Sequence, residues 1–245
     1  MAALWVFAHM LQDYKENLEW VDIQLDPICQ TSFNMQAHSL VKKIFGSAEE
    51  VRFYRGGVIF DAMARKHIVY VSGDQFPHFQ NTIVLNREYI ASFVETEWEK
   101  KALEEYLISH ELVHLEQNHH LKKAALDIGW MTGSPLVAGV TAVKVLQFAK
   151  GPVGMVVAAL SYWGVDTLIS GLELPVLQYV ARRHEKIADL RGFAACSEEG
   201  KVAAIRYYTI HRLNEINFPT GENDPWHPPL VERITYLRGA WYLNP

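Results

Sequence analysis

The sequence predicts a mainly helical α+β domain with one small β-sheet. Three observations support this fold class. Apolar residues make up 49% of the 245-residue chain, which is enough to bury a core. Most of them recur at helical spacing. Between 51 and 86 the helical spacing gives way to short runs of β-branched and aromatic residues. Each run is bounded by Gly, Asp, Pro or Asn, as strands of a sheet are.

Taken in order, the elements begin with two amphipathic helices and then the strand-like runs. Further helical patterns follow, among them two stretches that are poor in polar residues and are separated by Gly and Pro. We therefore expect 1–50 to form N-terminal helices that pack on the domain, and 51–245 to form the domain itself. The expected elements are helices at 3–20, 34–45, 97–123, 175–195, 201–214 and 229–242, strands at 58–60, 67–71 and 82–86, and apolar stretches at 131–149 and 152–174.

Composition excludes several classes of protein. The net charge is −5 and there is no dense Lys/Arg block, so nucleic acid is not an expected partner. The apolar N-terminus lacks a basic region before it and a clear small-residue cleavage site, so we recognise no secretory signal. Cys29 and Cys196 are far apart and in no metal-binding spacing, which predicts free thiols in a reducing compartment.

The strongest chemical signal is an H-E-x-x-H pattern formed by His110, Glu111 and His114. On a helix, residues four apart lie one turn above each other, so both imidazoles can reach one metal ion. Glu111 lies on the adjacent edge of the helix, where its carboxylate can take a proton from a metal-activated water. The pattern predicts zinc bound by His110 and His114, with Glu111 as the general base.

Catalytic zinc usually takes three protein ligands, so a third ligand is expected from another helix. Glu185 and Asp189 are four apart in the helical pattern at 175–195. We predict Glu185 as the third ligand and Asp189 as the acceptor of the outer ring N–H of a ligand histidine. His184 is the competing third ligand, but it lies about 100° around the helix from Glu185 and has Ala188 at its i+4 position.

Taken together, these residues resemble the HtpX-like and CAAX-prenyl-protease family of gluzincins. The likeness covers about 55–240. It rests on the H-E-x-x-H at 110–114 followed by His119, the hydrophobic insertion after it, the E-x-x-A-D at 185–189, and the H-P-P-x-x-E-R-I at 227–234. This resemblance implies a zincin-like metalloprotease domain, with a hydrophobic helical hairpin inserted after the zinc-binding helix at 131–174.

The resemblance also implies roles for further residues. His227 would approach the active site, where it could donate to a developing oxyanion. Alternatively, its His-Pro-Pro segment is a turn that opens the last helix. Arg233 would anchor the helix that carries Asp189. Ile68, Val69 and Tyr70 would form an edge strand that aligns an extended peptide substrate by backbone hydrogen bonds.

The predicted function is zinc-dependent endopeptidase activity, with one Zn²⁺ per chain and a polypeptide as substrate. The alternative is a catalytically inactive, metal-binding protein-interaction module derived from the same fold. A metal-dependent hydrolase of a non-peptide bond is a further alternative, and a deep narrow pocket in place of an edge strand would favour it.

The hydrophobic insertion also indicates membrane contact through 131–174. Its first stretch contains Lys144, and its second contains Asp166 and Glu173. Each such charge costs about 2.5–3.5 kcal/mol at the centre of a bilayer. A hairpin that rests on the domain or dips into a membrane therefore fits better than two independent spans. We expect a cytoplasmic protein or one attached to a membrane.

Overall fold

The computed structural model describes residues 25–27, 31–46, 52–56, 69–72, 82–86, 90–91, 93–149, 151–217 and 225–243. Helices predominate there, as the sequence predicts. The helix expected at 3–20 lies outside the described residues. The long helices are α1 (Thr31–Phe45), α2 (Glu97–Glu116), α3 (His119–Phe148), α4 (Gly151–Ala195), α5 (Glu198–Asn217) and α6 (Leu230–Leu243).

Four short strands pair into one sheet in the described part of the chain. They are β1 (Leu25–Pro27), β2 (Arg52–Gly56), β3 (Val69–Ser72) and β4 (Thr82–Asn86). Their order is β1-β2-β4-β3, with β2 and β4 parallel and the two outer pairs antiparallel. β3 is therefore an edge strand of this sheet.

The chain divides into two compact units. The first takes its residues from 1–117, 188–220 and 230–245, and the second takes its residues from 118–187 and 221–229. The first unit thus contains the sheet, α1, α2, the C-terminal end of α4, α5 and α6. The second contains α3 and the longer part of α4.

In the first unit, α2 is a central helix that packs against α1 and α5, and α5 packs against α6. A capping box begins α2, in which the Thr96 side chain accepts from the Glu99 backbone and the Glu99 carboxylate accepts from the Thr96 N–H. From Ala102 to Leu115 nearly every side chain of α2 is buried, including several polar ones. A helix buried all round is a core element, so its buried polar groups need partners inside the protein.

The single helix expected at 97–123 is two helices in the structure. Asn118 adopts a left-handed conformation, with φ 52° and ψ 42°, and it separates α2 from α3. Asn tolerates this region better than most residues, which explains why the helical pattern on both sides does not merge into one element.

In the second unit, α3 and α4 form an antiparallel hairpin. The indole of Trp130 donates to the Ile169 carbonyl at 3.2 Å, and the Ser134 hydroxyl donates to the Asp166 carboxylate at 2.6 Å. Gly151 follows the turn between the helices with φ 84°, a conformation that suits glycine.

The helix start expected at Pro175 is wrong, because α4 begins at Gly151 and runs through Pro175 without interruption. Pro175 removes one backbone N–H from the helix. The remaining bonds of a 45-residue helix continue on both sides of that position. As a result, the apolar stretch of the hairpin and the segment with Glu185 and Asp189 belong to one helix.

Candidate metal centre

His110 and His114 lie one turn apart on α2, and both are buried. Their ring planes are inclined by 58° to each other, and the two Nε2 atoms are 3.1 Å apart. Two imidazole nitrogens bound to one tetrahedral zinc ion would be about 3.3 Å apart, given Zn–N distances of roughly 2.0–2.1 Å. The two rings are therefore in an arrangement that suits two ligands of a single ion.

Asp189 holds the far side of the His110 ring. Its Oδ1 lies 3.0 Å from His110 Nδ1, and the carboxylate is completely buried. A carboxylate at Nδ1 favours the tautomer with the proton on that nitrogen, which leaves Nε2 free of a proton and able to bind a metal.

Four more side chains surround the Asp189 carboxylate. Arg233 donates to both of its oxygens, from Nε at 2.8 Å and from the adjacent terminal nitrogen. The hydroxyls of Tyr106 and Tyr208 donate to Oδ1 at 2.8 and 3.0 Å, and the hydroxyl of Tyr236 donates to Oδ2. The structure thus brings Arg233 and Asp189 together, on α6 and α4.

The surroundings determine the ionisation of this group. Burial favours the neutral acid, but the charge of Arg233 and the hydrogen bond with His110 outweigh it and hold the pKa of Asp189 below its usual range. Burial, together with the Asp189 charge, raises the pKa of Tyr106 well above its ordinary value. Asp189 is therefore a carboxylate at neutral pH, and the Tyr106 hydroxyl keeps its proton and donates a hydrogen bond to it.

Gly192 allows α4 to approach α2 closely at this point. A Cβ at Gly192 would lie 2.8 Å from the His110 backbone nitrogen and 2.9 Å from its Cα. Real Cβ atoms essentially never come so close to backbone atoms, so any side chain here would push the two helices apart. Gly192 is three residues after Asp189, and its lack of a side chain lets that carboxylate reach the His110 ring.

Glu185 lies one helical turn before Asp189 on α4. His110, His114 and Glu185 each offer one ligand atom, and these atoms all lie within 4.8 Å of one another. Two imidazoles and one carboxylate are the donor set of the thermolysin type of catalytic zinc site. The residues present therefore fit such an ion.

The competing ligand His184 faces a different neighbour. Its ring stacks on that of His119, with centroids 4.0 Å apart and planes inclined by 5°. Among the described residues, the group that could hold a metal ion contains Glu185 and not His184.

Glu111 and His227 each lie close to one member of this group. The Glu111 Oε1 is 4.0 Å from His110 Nε2, and its side chain is 16% exposed, so water can reach it. His227 Nε2 lies 3.4 Å from Glu185 Oε2. Of the predicted substrate strand, Val69 and Tyr70 belong to β3, whereas Ile68 lies outside the described residues.

The described cysteine offers no competing chemistry. Cys196 is a buried free thiol, and Cys29 lies outside the described residues. Burial raises the pKa of Cys196 to about 12, so this thiol is not ionised at neutral pH and is not a nucleophile.

A comparison with protein-family models gives one match. The model of peptidase family M48 matches residues 67–240, which include every side chain around the candidate metal centre. The chain belongs to peptidase family M48. This family contains HtpX and the CAAX prenyl protease, so the resemblance inferred from the motifs is confirmed. Searches of curated proteins and of solved structures found no match.

Membership in the M48 family supports a metal-dependent peptidase. The mainly helical fold agrees with the zincin-like domain of that family. The roles of individual side chains in metal binding and catalysis stay predictions.

Sequence reasoning missed four residues of this centre: Tyr106, Gly192, Tyr208 and Tyr236. Two of them carried a signal. Tyr106 precedes His110 by four residues on the same helix, and Tyr236 follows Arg233 by three, so each shares a helix face with a predicted site residue. Tyr208 lies on α5, for which the motifs give no indication.

Proposed function

We propose that this chain is a zinc-dependent endopeptidase, with His110, His114 and Glu185 as the zinc ligands. The observation that carries the proposal is the arrangement of the His110 and His114 rings. Their Nε2 atoms are 3.1 Å apart, and the buried Asp189 carboxylate lies at Nδ1 of the His110 ring. Buried imidazoles oriented in this way are typical of metal ligands. Family membership supports a peptide as the substrate.

When bound, zinc lowers the pKa of a water molecule and polarises the scissile carbonyl. Glu111 acts as the general base, which accepts a proton from the attacking water and passes it to the leaving amine. Its carboxylate is 4.0 Å from His110 Nε2, close enough to the proposed ligand nitrogen to accept a proton from the attacking water. Asp189 keeps His110 in the required tautomer and orientation, and Arg233 anchors Asp189.

The edge position of β3 supports a binding mode for an extended peptide. An edge strand can add a peptide to a sheet through backbone hydrogen bonds, while side chains on alternate positions select the sequence. We assign this role to Ile68, Val69 and Tyr70. His227 is partly exposed and lies near Glu185, a position from which it could donate to the developing oxyanion.

Metal content and metal dependence test this function. We expect the full-length protein, purified without added metal, to contain one zinc per chain by mass spectrometry and to cleave an unfolded polypeptide such as casein. Removal of the ion with a chelator should abolish cleavage, and added zinc should restore it. Zinc without cleavage of any polypeptide would favour the inactive binding module. Protein that takes up no zinc would contradict the proposal.

A second proposal concerns the α3–α4 hairpin, which we infer contacts a lipid bilayer. Among the described residues, α4 is the one helix long and apolar enough to cross a membrane. Both helices also expose large apolar side chains, more than soluble proteins usually present in one region. Examples are Leu136, Val140, Phe148, Val153, Leu160, Trp163 and Leu168.

The polar groups of the hairpin support the same conclusion. Asp166 accepts from Ser134 within the hairpin, and the hydroxyls of Thr132, Thr141 and Ser161 donate to carbonyls of their own helices. These groups therefore need no water, as a hydrocarbon environment requires. Lys144 is four residues from the end of α3, near enough for its amine to reach a lipid headgroup region.

Trp163→Lys is expected to weaken binding of the full-length protein to phospholipid vesicles. Trp163 lies near the middle of the apolar part of α4 and is 71% exposed, and a lysine there would cost about 3 kcal/mol in a bilayer. Vesicle flotation measures the effect. Trp98→Lys is the matched control, because Trp98 is 60% exposed on α2, outside the hairpin. Equal flotation of the two variants, or no flotation of the wild type, would contradict membrane contact.

A further inference from the structure

We propose that the hydroxyls of Tyr106, Tyr208 and Tyr236 are positioning groups for zinc binding. We call these three hydroxyls the tyrosine cage. They contact the Asp189 carboxylate, which in turn holds His110. The inference rests on the proposed zinc site and adds residues that neither the motifs nor the family match assigns.

The three hydroxyls of the cage come from three different helices and contact one carboxylate. Tyr106 comes from α2, Tyr208 from α5 and Tyr236 from α6, while Asp189 itself is on α4. The Tyr106 and Tyr208 hydroxyls are also 2.9 Å from each other, and Arg233 lies 4.3 Å over the Tyr208 ring. The position of Asp189 is therefore fixed against every other long helix of the first unit except α1.

Asp189 has more hydrogen-bond donors around it than one buried carboxylate needs. A carboxylate offers about four lone-pair sites. Asp189 is within hydrogen-bonding distance of three hydroxyls, two nitrogens of Arg233 and the His110 ring. Arg233 alone would neutralise the charge, since its fork meets both oxygens. The additional hydroxyls restrict rotation of the carboxylate, so Oδ1 stays directed at His110 Nδ1.

Tyr106 is the cage residue that lies on α2, the helix that also carries His110 and His114. It precedes His110 by one turn of α2, its ring centroid is 6.2 Å from that of His110, and it is fully buried. Its hydroxyl and the His110 ring thus approach the same Asp189 oxygen from one helix. A rotation that moves this oxygen away would therefore weaken both contacts.

The test is the zinc dissociation constant of Tyr106→Phe, Tyr208→Phe and Tyr236→Phe, measured by competition with a chromogenic chelator. Phenylalanine keeps the ring and its packing and removes only the hydroxyl. We expect each variant to bind zinc about three- to tenfold more weakly, less than the 10–100-fold that loss of a ligand's direct partner costs. The Tyr106→Phe/Tyr208→Phe double variant should bind more weakly than either single variant.

The visible spectrum of the cobalt-substituted protein gives a second readout, independent of turnover. If His110 becomes less well oriented, the ligand-field bands of bound Co²⁺ should shift or broaden in the cage variants. The melting temperature of the metal-free protein is measured in parallel. A purely structural role would lower the melting temperature while the zinc affinity and the cobalt spectrum stayed at their wild-type values.

Tyr207→Phe is the matched control. Tyr207 is buried beside Tyr208 on α5, and its ring packs edge-on against Phe93 at 4.9 Å. This variant should keep wild-type zinc affinity. If the cage variants bind zinc as tightly as the wild type and Tyr207→Phe, the cage proposal is overturned and the zinc site stands. If the wild type itself binds no zinc, both proposals fall.

Discussion

Glu111→Gln is expected to lower peptide-bond cleavage by about 10²–10⁴-fold, the range that a positioned general base contributes. Glutamine has nearly the same shape, but its amide does not accept the proton that the attacking water must lose. The variant should still contain one zinc per chain, because Glu111 is outside the group of three ligand atoms. Its partly exposed side chain also makes a large effect on folding unexpected. Initial rates at saturating substrate, with zinc content determined on the same sample, check both expectations.

Glu116→Gln is the matched control for this experiment. Glu116 lies on the same helix, where its carboxylate accepts from the adjacent Gln117 and forms an ion pair with Arg191 at 2.7 Å on the protein surface. Surface ion pairs of this kind contribute roughly 0–1 kcal/mol, so the control should keep wild-type activity. Cleavage by Glu111→Gln at the rate of the control would refute the role of Glu111. Loss of zinc from Glu111→Gln would show instead that this carboxylate belongs to the metal site.

Local periodicity is enough to predict the helical character of the chain and the elements that carry the site. An i, i+4 spacing requires only a helix to bring two side chains together. His110 and His114, and equally Glu185 and Asp189, could therefore be paired before any tertiary contact was known. The structure shows the His110 Nδ1 and Asp189 Oδ1 atoms 3.0 Å apart, although the two residues are more than seventy positions apart in the sequence.

The features that sequence reasoning missed depend on tertiary packing. Tyr208 contributes to the site because α5 packs against α2, and its own segment contains no motif. The importance of Gly192 arises from the approach of two helix backbones, which one sequence does not reveal. Local periodicity also predicts no helix boundary at Asn118 and a helix start at Pro175, and both predictions are wrong for a related reason. A left-handed asparagine and a tolerated proline are decided by the surrounding structure, and local preference leaves both outcomes open.

Glu185→Ala is expected to lose zinc, and with it all zinc-dependent cleavage. Loss of a ligand's hydrogen-bonding partner weakens metal binding by up to about 100-fold. Removal of one of the three protein ligands should weaken zinc binding by more than that. The purified variant should therefore contain far less than one zinc per chain. Mass spectrometry of protein prepared without added metal gives the content, and chelator competition gives the affinity. Alanine suits a helix interior, so α4 itself should remain intact.

His184→Ala distinguishes the two candidates for the third ligand, because His184 and Glu185 are adjacent on the same helix. The His184 ring stacks on His119, whereas Glu185 offers its oxygen to the group formed with His110 and His114. His184→Ala should therefore retain zinc under conditions in which Glu185→Ala has lost it. The reverse result would make His184 the ligand, and it would require α4 to present a different face than it does in the structure. Retention of zinc by both single variants would reject each as an essential ligand and leave a site built from the two α2 histidines.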